Sequence, residues 1–251
     1  MLEMDVLLDE GDLTDAASEV LDDICERIPN GPALDMEKQV HDIIVYNMEY
    51  RKDESQSIHE PECLLRNQFG VCDGISKLAS KMLKKIGIPT FTVFGDLLTG
   101  PDNWGGHAWN LVYIDRQWFH LDITADLTLS SSKKCRRYDY FNLSDKEISR
   151  DHRFDHFPFN CSKSESDYYK ANGLYCETVK DFDRLWEQAV ADKKDWLAVR
   201  VPICDSEDMK QLLYEHASKI ALKYMNSATA TYWYNEYRGV FEIQLERNVK
   251  E

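Results

Sequence analysis

Cys72 stands where a cysteine could act as a nucleophile. Apolar side chains after it recur at i, i+3, i+4, i+7, i+8 and i+11, which predicts a helix beginning at or just after Cys72. They are Ile75, Leu78, Ala79, Met82, Leu83 and Ile86. A helix N-terminus favours a thiolate through its dipole and free N–H groups. Gly70 and Gly74 flank the cysteine and are predicted to leave room for a substrate backbone. Taken alone, Cys72 could instead be a small buried apolar residue.

A base for that thiol, and an acceptor to orient the base, occur on two predicted strands, 107–114 and 117–124. If the two residues between the strands form the turn, His107 and Asp122 become diagonal neighbours on one face of the sheet. A three-residue turn would invert the second strand and separate them. The pair Asp115-Arg116 is not a preferred two-residue turn. In the two-residue register, the sequence predicts a Cys–His–Asp arrangement.

The other elements follow from periodicity and from turn residues. Helices are predicted at 18–28, 35–50 and 181–191, with a long helix capped by Ser206. Further strands are predicted at 90–94, 196–201, 229–234 and 240–245. Loops are predicted at 51–62, 95–106, 127–137 and 157–172.

The charge of the chain excludes several classes of partner. The net charge is −15, and residues 1–30 hold ten acidic side chains against one basic side chain. Phosphate backbones and anionic lipids would repel such a chain, so neither nucleic-acid nor membrane binding is predicted. The acidic lead is interpreted as a solvated helix face, with a docking segment for a basic partner as the alternative. Its first residues differ from a signal peptide, so a cytoplasmic location is expected; export would require a longer precursor.

Cysteine usage and metal-ligand spacing indicate no cofactor. Seven cysteines are present without a CxxC pair, which favours a reducing compartment over a disulfide framework or a zinc knuckle. A zinc site would need Cys63, Cys72, His107 and His120, which lack ligand-pair spacing. No acidic loop resembles an EF-hand, so calcium is not expected. The prediction is that the protein uses neither a metal nor a cofactor.

Three stretches in this order resemble the transglutaminase-like branch of the papain-fold cysteine enzymes. They are Phe-Gly-Val-Cys-Asp-Gly at 69–74, Gly-His-Ala-Trp-Asn at 106–110, and Trp-Phe-His-Leu-Asp-Ile-Thr at 118–124. The spacings of 35 and 15 residues between cysteine, histidine and aspartate resemble those of short bacterial members. Segments 140–145 and 151–153 also resemble a region that follows the core in bacterial relatives. The resemblance covers roughly residues 36–155.

The resemblance implies an α+β fold with a papain-like, transglutaminase-like core. In such a core, the helix carrying the cysteine packs on an antiparallel sheet that carries the histidine and the aspartate. The resemblance implies Cys72 as nucleophile, His107 as base and then acid, and Asp122 as the residue that orients His107.

The resemblance also suggests residues around the triad. The oxyanion hole would use the N–H of Cys72 and the side chain of Gln68, with Asn67 as the alternate. Trp104 and Trp109 are candidates for the walls of the acyl-binding slot, and packing is their alternative role. His120 is a weaker candidate for the base than His107, and His152 is expected to be structural.

Four regions are predicted. An acidic helical lead spans 1–34, the catalytic core 35–155 and a linker 156–175. A small αβαββ appendage spans 176–251, and its function in substrate selection or structure is left open.

The predicted function is cysteine-dependent acyl transfer through a thioester, on a peptide or glutamine amide in a protein or peptide substrate. Water as acceptor would give proteolysis or deamidation, and an amine would give transglutamination. Hydrolysis is favoured because exclusion of water requires a closed tunnel. The alternatives are a papain-fold binding module without turnover and a small-molecule acyltransferase. The oligomeric state is left open.

Overall fold

The computed structural model describes residues 13–133, 136–155, 159–202, 207–224 and 228–247. The chain forms two compact units, Met1–Asp167 and Tyr168–Glu251. The division falls within the stretch 156–175 that the sequence predicts as a linker. Among the described residues, no helix has both the length and the apolar composition needed to span a bilayer.

The first unit combines helices with one antiparallel sheet. Its helices are α1 Asp15–Glu26, α2 Ala33–Asn47, α3 Pro61–Asn67, α4 Cys72–Lys85, α5 Ile123–Lys133 and α6 Asp145–Ile148. Its strands are β1 Glu49–Tyr50, β2 Phe69–Gly70, β3 Thr90–Gly100, β4 Asn103–Ile114, β5 Gln117–Leu121 and β6 His152–Phe154. The main sheet has the order β5-β4-β3-β6, and β1 pairs with β2 in parallel. This α+β architecture confirms the predicted fold class.

The helix that carries Cys72 follows the predicted apolar stripe. Helix α4 begins at Cys72 and ends at Lys85, and the predicted stripe from Ile75 to Leu83 is fully buried or nearly so. Gly87 follows with a φ of +86°, which a glycine adopts without strain at a helix end. Burial of this stripe fixes which face of α4 meets the core, and therefore where Cys72 lies.

The hairpin between β4 and β5 has the predicted register. Ile114 pairs with Gln117 and Asn110 with Leu121, so only Asp115 and Arg116 lie in the turn. Both have positive φ values, 47° and 67°, which is the backbone of a type I′ turn. The turn type matches the twist of the strands although the residue pair is unusual for it.

Two predicted loops are wrong. Residues 95–106 are mostly strand, because β3 and β4 extend as one hairpin that turns at 101–102. Residues 127–137 include most of helix α5, because Asp122 ends β5 early and caps that helix instead of continuing the strand. The predicted loop 51–62 also contains a short 3-10 turn, Gln56–His59, and the start of α3.

The second unit has helices α7 Tyr168–Ala171, α8 Val179–Ala191 and α9 Glu207–Tyr224. Its strands are β7 Trp196–Arg200, β8 Ala228–Asn235 and β9 Val240–Arg247, in the antiparallel order β7-β9-β8. From α8 onward the element order is the predicted αβαββ. Its core includes Phe182, Trp186 and Phe241, all fully buried. The predicted cap at Ser206 lies outside the described residues.

Candidate active site

Cys72 is the first residue of α4, and its helix is tied to the strand that carries His107. The Ser76 hydroxyl lies 2.7 Å from the carbonyl oxygen of Cys72 and 2.9 Å from that of Ala108. The Asn110 side chain donates to the carbonyl oxygen of Ser76 at 3.0 Å. These contacts fix the N-terminus of α4 against β4. The Cys72 side chain is partly exposed, as a nucleophile must be.

The glycines beside Cys72 have a different use from the predicted one. A Cβ at Gly70 would lie 2.8 Å from the Leu64 side chain, and one at Gly74 would lie 2.7 Å from the Ile58 carbonyl oxygen. Both positions therefore require glycine because the protein's own chain approaches closely. The prediction that they leave room for a substrate backbone is wrong.

His107 and Asp122 are brought together as the hairpin register predicts. The Nε2 atom of His107 lies 2.7 Å from Oδ2 of Asp122. His107 is 8% exposed and Asp122 is fully buried. Because Nε2 faces the carboxylate, Nδ1 is the ring nitrogen left for Cys72, whose charge helps to raise the pKa of His107. The three side chains form one row from thiol to imidazole to carboxylate.

The electrostatics of this row favour an imidazolium. Burial alone lowers the pKa of His107, but the charge of Asp122 and the hydrogen bonds to Asp122 and Cys72 outweigh burial and raise that pKa to about 10. Burial alone would raise the pKa of Asp122. The charge of His107 and hydrogen bonds from His107 and His152 hold it well below its usual range instead. Asp122 is therefore a carboxylate and His107 is protonated at neutral pH.

Asp122 also begins the helix after β5. Its Oδ1 atom accepts a hydrogen bond from the Ala125 N–H at 3.0 Å, the geometry of a helix N-cap. One oxygen is thereby fixed by α5, and the other is presented to the imidazole. An aspartate three residues before a helical alanine is a capping signal that the sequence analysis assigned to a strand.

His152 makes a contact that the sequence analysis missed. Its Nε2 atom lies 3.0 Å from Oδ2 of Asp122, the oxygen that also receives His107. Its Nδ1 atom lies 2.8 Å from Oδ1 of Asp151. His152 therefore contacts the same carboxylate oxygen as His107. Its position 30 residues after Asp122 gave no spacing signal.

Trp109 and His120 are buried side chains that contact each other. Trp109 is fully buried and donates from Nε1 to Nδ1 of His120 at 3.0 Å. Nε2 of His120 faces Asp145 at 2.9 Å, so both ring nitrogens of this alternate base are engaged away from Cys72. Trp109 stacks on the His107 ring with centroids 6.0 Å apart. It therefore supports His107 and presents no surface to a substrate.

The remaining predicted residues lie at the surface. Trp104 is partly exposed, and the guanidinium of Arg153 lies 3.6 Å from the centre of its ring. Gln68 ends α3 with a φ of 61°, its side chain is exposed, and among the described residues that side chain makes no hydrogen bond. The Asn67 amide donates to the Cys63 sulfur at 3.4 Å. The assignment of Gln68 to an oxyanion hole therefore stays a prediction.

Tyr50 is a further residue near the nucleophile that the sequence analysis did not single out. Burial raises the pKa of its phenol, and negative charge on Cys72, Asp73 and Asp122 raises it further. Tyr50 is in β1, which pairs with the strand Phe69–Gly70 just before Cys72. The sequence signal was weak because β1 is only two residues long.

Two groups of side chains within the described ranges bring three potential ligand atoms within 4.8 Å: His107, Asp122 and His152, and His120, Asp145 and Cys161. The first set is occupied by hydrogen bonds of 2.7 and 3.0 Å, whereas ligands around a tetrahedral zinc stand roughly 3.3 Å apart. In the second set, Trp109 donates to Nδ1 of His120, so Nε2 must keep its proton and cannot bind a metal. Neither donor set fits a metal ion.

Part of the sequence matches a family model and a known protein. A family model described as the Transglutaminase-like superfamily matches residues 22–123, which include the cysteine, histidine and aspartate of the row. The chain is 32% identical to mouse kyphoscoliosis peptidase over 88 residues, which make up 32% of this chain and 13% of that protein.

Two solved structures align with part of this chain. A transglutaminase structure aligns over 45% of this chain and 34% of its own, with 19% identity and a TM-score of 0.39. A candidate cysteine protease from Cytophaga hutchinsonii aligns over 45% of this chain and 43% of its own, with 20% identity and a TM-score of 0.34. The chain thus spans about an eighth of the mouse relative and less than half of either structure.

Proposed function

We propose that this chain is a cysteine-dependent acyl-transfer enzyme that attacks an amide carbonyl, because residues 22–123 match a family model described as the Transglutaminase-like superfamily. Cys72 is the nucleophile, His107 moves the proton and Asp122 orients His107. The observation that carries the proposal is the His107 imidazole, which lies 2.7 Å from Asp122 and whose pKa is raised by both Asp122 and Cys72.

The protonation states support this order of events. With His107 protonated, Cys72 in contact with it can attack as a thiolate. The sulfur bonds to the carbonyl carbon, and the C–N bond breaks as the tetrahedral intermediate collapses. The leaving amine takes a proton from His107, which leaves a thioester on Cys72. His107, now neutral, removes a proton from the acceptor that attacks the thioester, and Cys72 leaves as the thiolate.

The negative oxygen of the intermediate needs hydrogen-bond donors. The N–H of Cys72 is the first of α4, and the first N–H groups of a helix have no partner within the helix. One such donor is worth about 10²–10³ in rate where it has been measured in another hydrolase. The second donor remains the Gln68 side chain in this proposal.

The site is accessible from the β3–β4 hairpin. Gly106 precedes His107, is exposed, and has no other heavy atom within 4 Å of where a Cβ would stand. Trp104, two residues earlier, offers a partly exposed aromatic surface. This open edge supports an extended peptide or a side-chain amide of a protein as substrate. The net charge of −15 supports a protein over a nucleic acid.

The test is to trap and then resolve the thioester. The protein is incubated with a glutamine-containing reporter peptide, and intact mass is recorded for the wild type and for Cys72→Ala. An acyl adduct on the wild type that is lost in Cys72→Ala is expected. Cys63→Ala, which changes a buried cysteine in the same unit, should keep the adduct.

Product analysis then distinguishes the acceptors. Added primary amine gives a cross-linked product if the enzyme is a transglutaminase, and a shortened or deamidated peptide indicates hydrolysis. Absence of both adduct and product over a broad peptide library would favour the binding module without turnover.

A further inference from the structure

Oδ2 of Asp122 receives two imidazoles. His107 Nε2 lies 2.7 Å from it and His152 Nε2 lies 3.0 Å from it, while Oδ1 is held by the N–H of Ala125. A carboxylate can only accept, so both rings donate. The carboxylate is thus held from three directions, and His152 supplies one of them.

His152 is itself fixed by a second carboxylate. Its Nδ1 atom lies 2.8 Å from Oδ1 of Asp151, and the Tyr140 hydroxyl donates to Oδ2 of Asp151 at 2.6 Å. One buried row of hydrogen bonds therefore runs from His107 through Asp122, His152 and Asp151 to Tyr140.

The backbone explains how His152 reaches this place. It opens β6, which pairs with β3 so that Leu97 lies opposite His152 and Gly95 opposite Phe154. A Cβ on Gly95 would overlap the carbonyl oxygen of Arg153 and come within 2.8 Å of Trp109. Glycine at 95 is therefore required for β6 to lie close enough for His152 to touch Asp122.

The surroundings of His152 are mixed in charge. Trp109 packs edge-on against its ring, with centroids 4.9 Å apart. The charged and titratable groups that face the His152 ring come from several elements. They are Asp122, Asp151, His107, Tyr140 and His120. The ring centroids of His107 and Tyr140 lie 5.5 and 5.6 Å from that of His152. The two carboxylates are the groups in hydrogen-bond contact.

We propose that His152 is a positioning residue of the active site, whose Nε2–H holds the Asp122 carboxylate in the orientation that receives His107. The inference rests on the proposed function and extends the predicted triad by one residue. The side chain of His152 is fully buried and its hydrogen bonds go to Asp122 and Asp151, so it acts through Asp122 and does not touch substrate.

Two amide substitutions separate the hydrogen bond to Asp122 from the hydrogen bond to Asp151. The amide nitrogen of glutamine takes the place of Nε2, and that of asparagine takes the place of Nδ1. His152→Gln keeps a donor to Asp122, whereas His152→Asn keeps one only to Asp151. Both substitutions replace the imidazole by a neutral amide, so the difference between them reports the hydrogen bond to Asp122.

The measurement is the rate of iodoacetamide alkylation of Cys72 from pH 4.5 to 9. Loss of the donor removes one of the three hydrogen bonds that hold the Asp122 carboxylate, which weakens its pairing with His107 and destabilises the ion pair between His107 and the thiolate. His152→Asn should shift the acidic limb of the profile upward by about one pH unit, which is about tenfold in rate at any fixed pH on that limb. His152→Gln should stay within about twofold of the wild type.

His120→Gln is the matched control. His120 is as buried as His152 and also contacts Trp109 and Phe154, but it faces Asp145. Its profile should coincide with that of the wild type. Equal profiles for His152→Asn and the wild type would overturn the inference and leave the proposed function intact. Slow labelling of wild-type Cys72 at pH 6 would instead overturn the proposed function.

A second measurement does not depend on the folding of any core variant. In wild-type protein labelled with ¹⁵N-histidine, Nε2 of His152 should show the chemical shift of a protonated nitrogen at pH 7, as its hydrogen bond to Asp122 requires. The assignment comes from loss of the signals in His152→Gln. An Nε2 atom without a proton at pH 7 would overturn the inference, because it could not donate to Asp122.

Discussion

Asp122 holds His107 with one carboxylate oxygen while the other oxygen caps the helix that follows. Oδ2 lies 2.7 Å from His107 Nε2, and Oδ1 accepts from the N–H of Ala125. The orientation of the imidazole is thereby linked to the start of α5. Rotation of the carboxylate away from His107 would also uncap the helix, so the catalytic orientation is stabilised by secondary structure.

Asp122→Asn tests that relationship. Asparagine can still cap α5 through its oxygen, but its amide N–H₂ would face two imidazole donors. We expect a rate loss on the order of 10⁴, by analogy with the equivalent change in a serine-protease triad, with the helix retained. Activity toward the peptide substrate and far-ultraviolet circular dichroism would be measured together.

Asp126→Asn is the matched control for this change. Asp126 is equally buried, lies four residues further along, and faces His41 at 3.2 Å. Its substitution should alter stability more than rate. A near-silent Asp122→Asn with an inactive Asp126→Asn would show that the wrong carboxylate has been assigned to His107.

The reactivity of Cys72 at low pH follows from the protonation of His107. Since the pKa of His107 is raised to about 10, the imidazolium is present at neutral and acidic pH, where its charge favours a thiolate at Cys72. Cys72 should label rapidly with iodoacetamide at pH 6. Burial, the main cause, raises the pKa of Cys176 to about 12 and also raises that of Cys25, so both should label slowly.

His107→Ala separates the two sources of this reactivity. It removes the imidazolium but leaves the helix N-terminus, so labelling of Cys72 at pH 6 should slow by at least tenfold and partly recover toward pH 9. Peptide mapping by mass spectrometry measures each cysteine separately. Equal rates for Cys72 and Cys176 at pH 6 would argue against a formed ion pair.

The parts of the site that the sequence predicts are those set by local patterns. The apolar stripe after Cys72 determines the helix, and a two-residue turn determines the diagonal between His107 and Asp122. The contact of His152 was not predictable in this way, because a three-residue strand reaches Asp122 only through pairing with β3 and close packing at Gly95. The use of Gly70 and Gly74 was likewise invisible, since their neighbour Ile58 lies in a stretch predicted as loop.

Removal of residues 168–251 should leave the thiol chemistry intact. Cys72, His107, Asp122 and His152 all lie in the first compact unit, and the second unit has its own buried core. A chain that stops after Asp167 should label at Cys72 at pH 6 within about threefold of the full chain. Loss of both labelling and cooperative unfolding would show that the two units fold as one.

Glu37 predicts how stability depends on pH. It is fully buried, Oε2 accepts from the Asn142 amide at 2.8 Å, and Oε1 has no hydrogen-bond partner among the described residues. Burial, the largest cause, raises its pKa to about 8 against the hydrogen bond from Asn142 and the charge of His41. The folded state therefore favours the protonated acid.

Protonation of Glu37 in the folded state determines whether stability rises or falls with pH. Between the unfolded pKa of about 4.3 and the folded value of about 8, the folded state binds more protons, so stability falls as pH rises through this window. Glu37→Gln keeps the acceptor for Asn142 and cannot ionise. It should reduce the loss of unfolding free energy between pH 5 and pH 8 by on the order of 2 kcal/mol. Denaturant titrations at each pH measure this, with Glu19→Gln on the exposed face of α1 as the control. An identical pH dependence in the wild type and Glu37→Gln would mean that Glu37 is already ionised at pH 5, because only a titrating group can contribute to the slope.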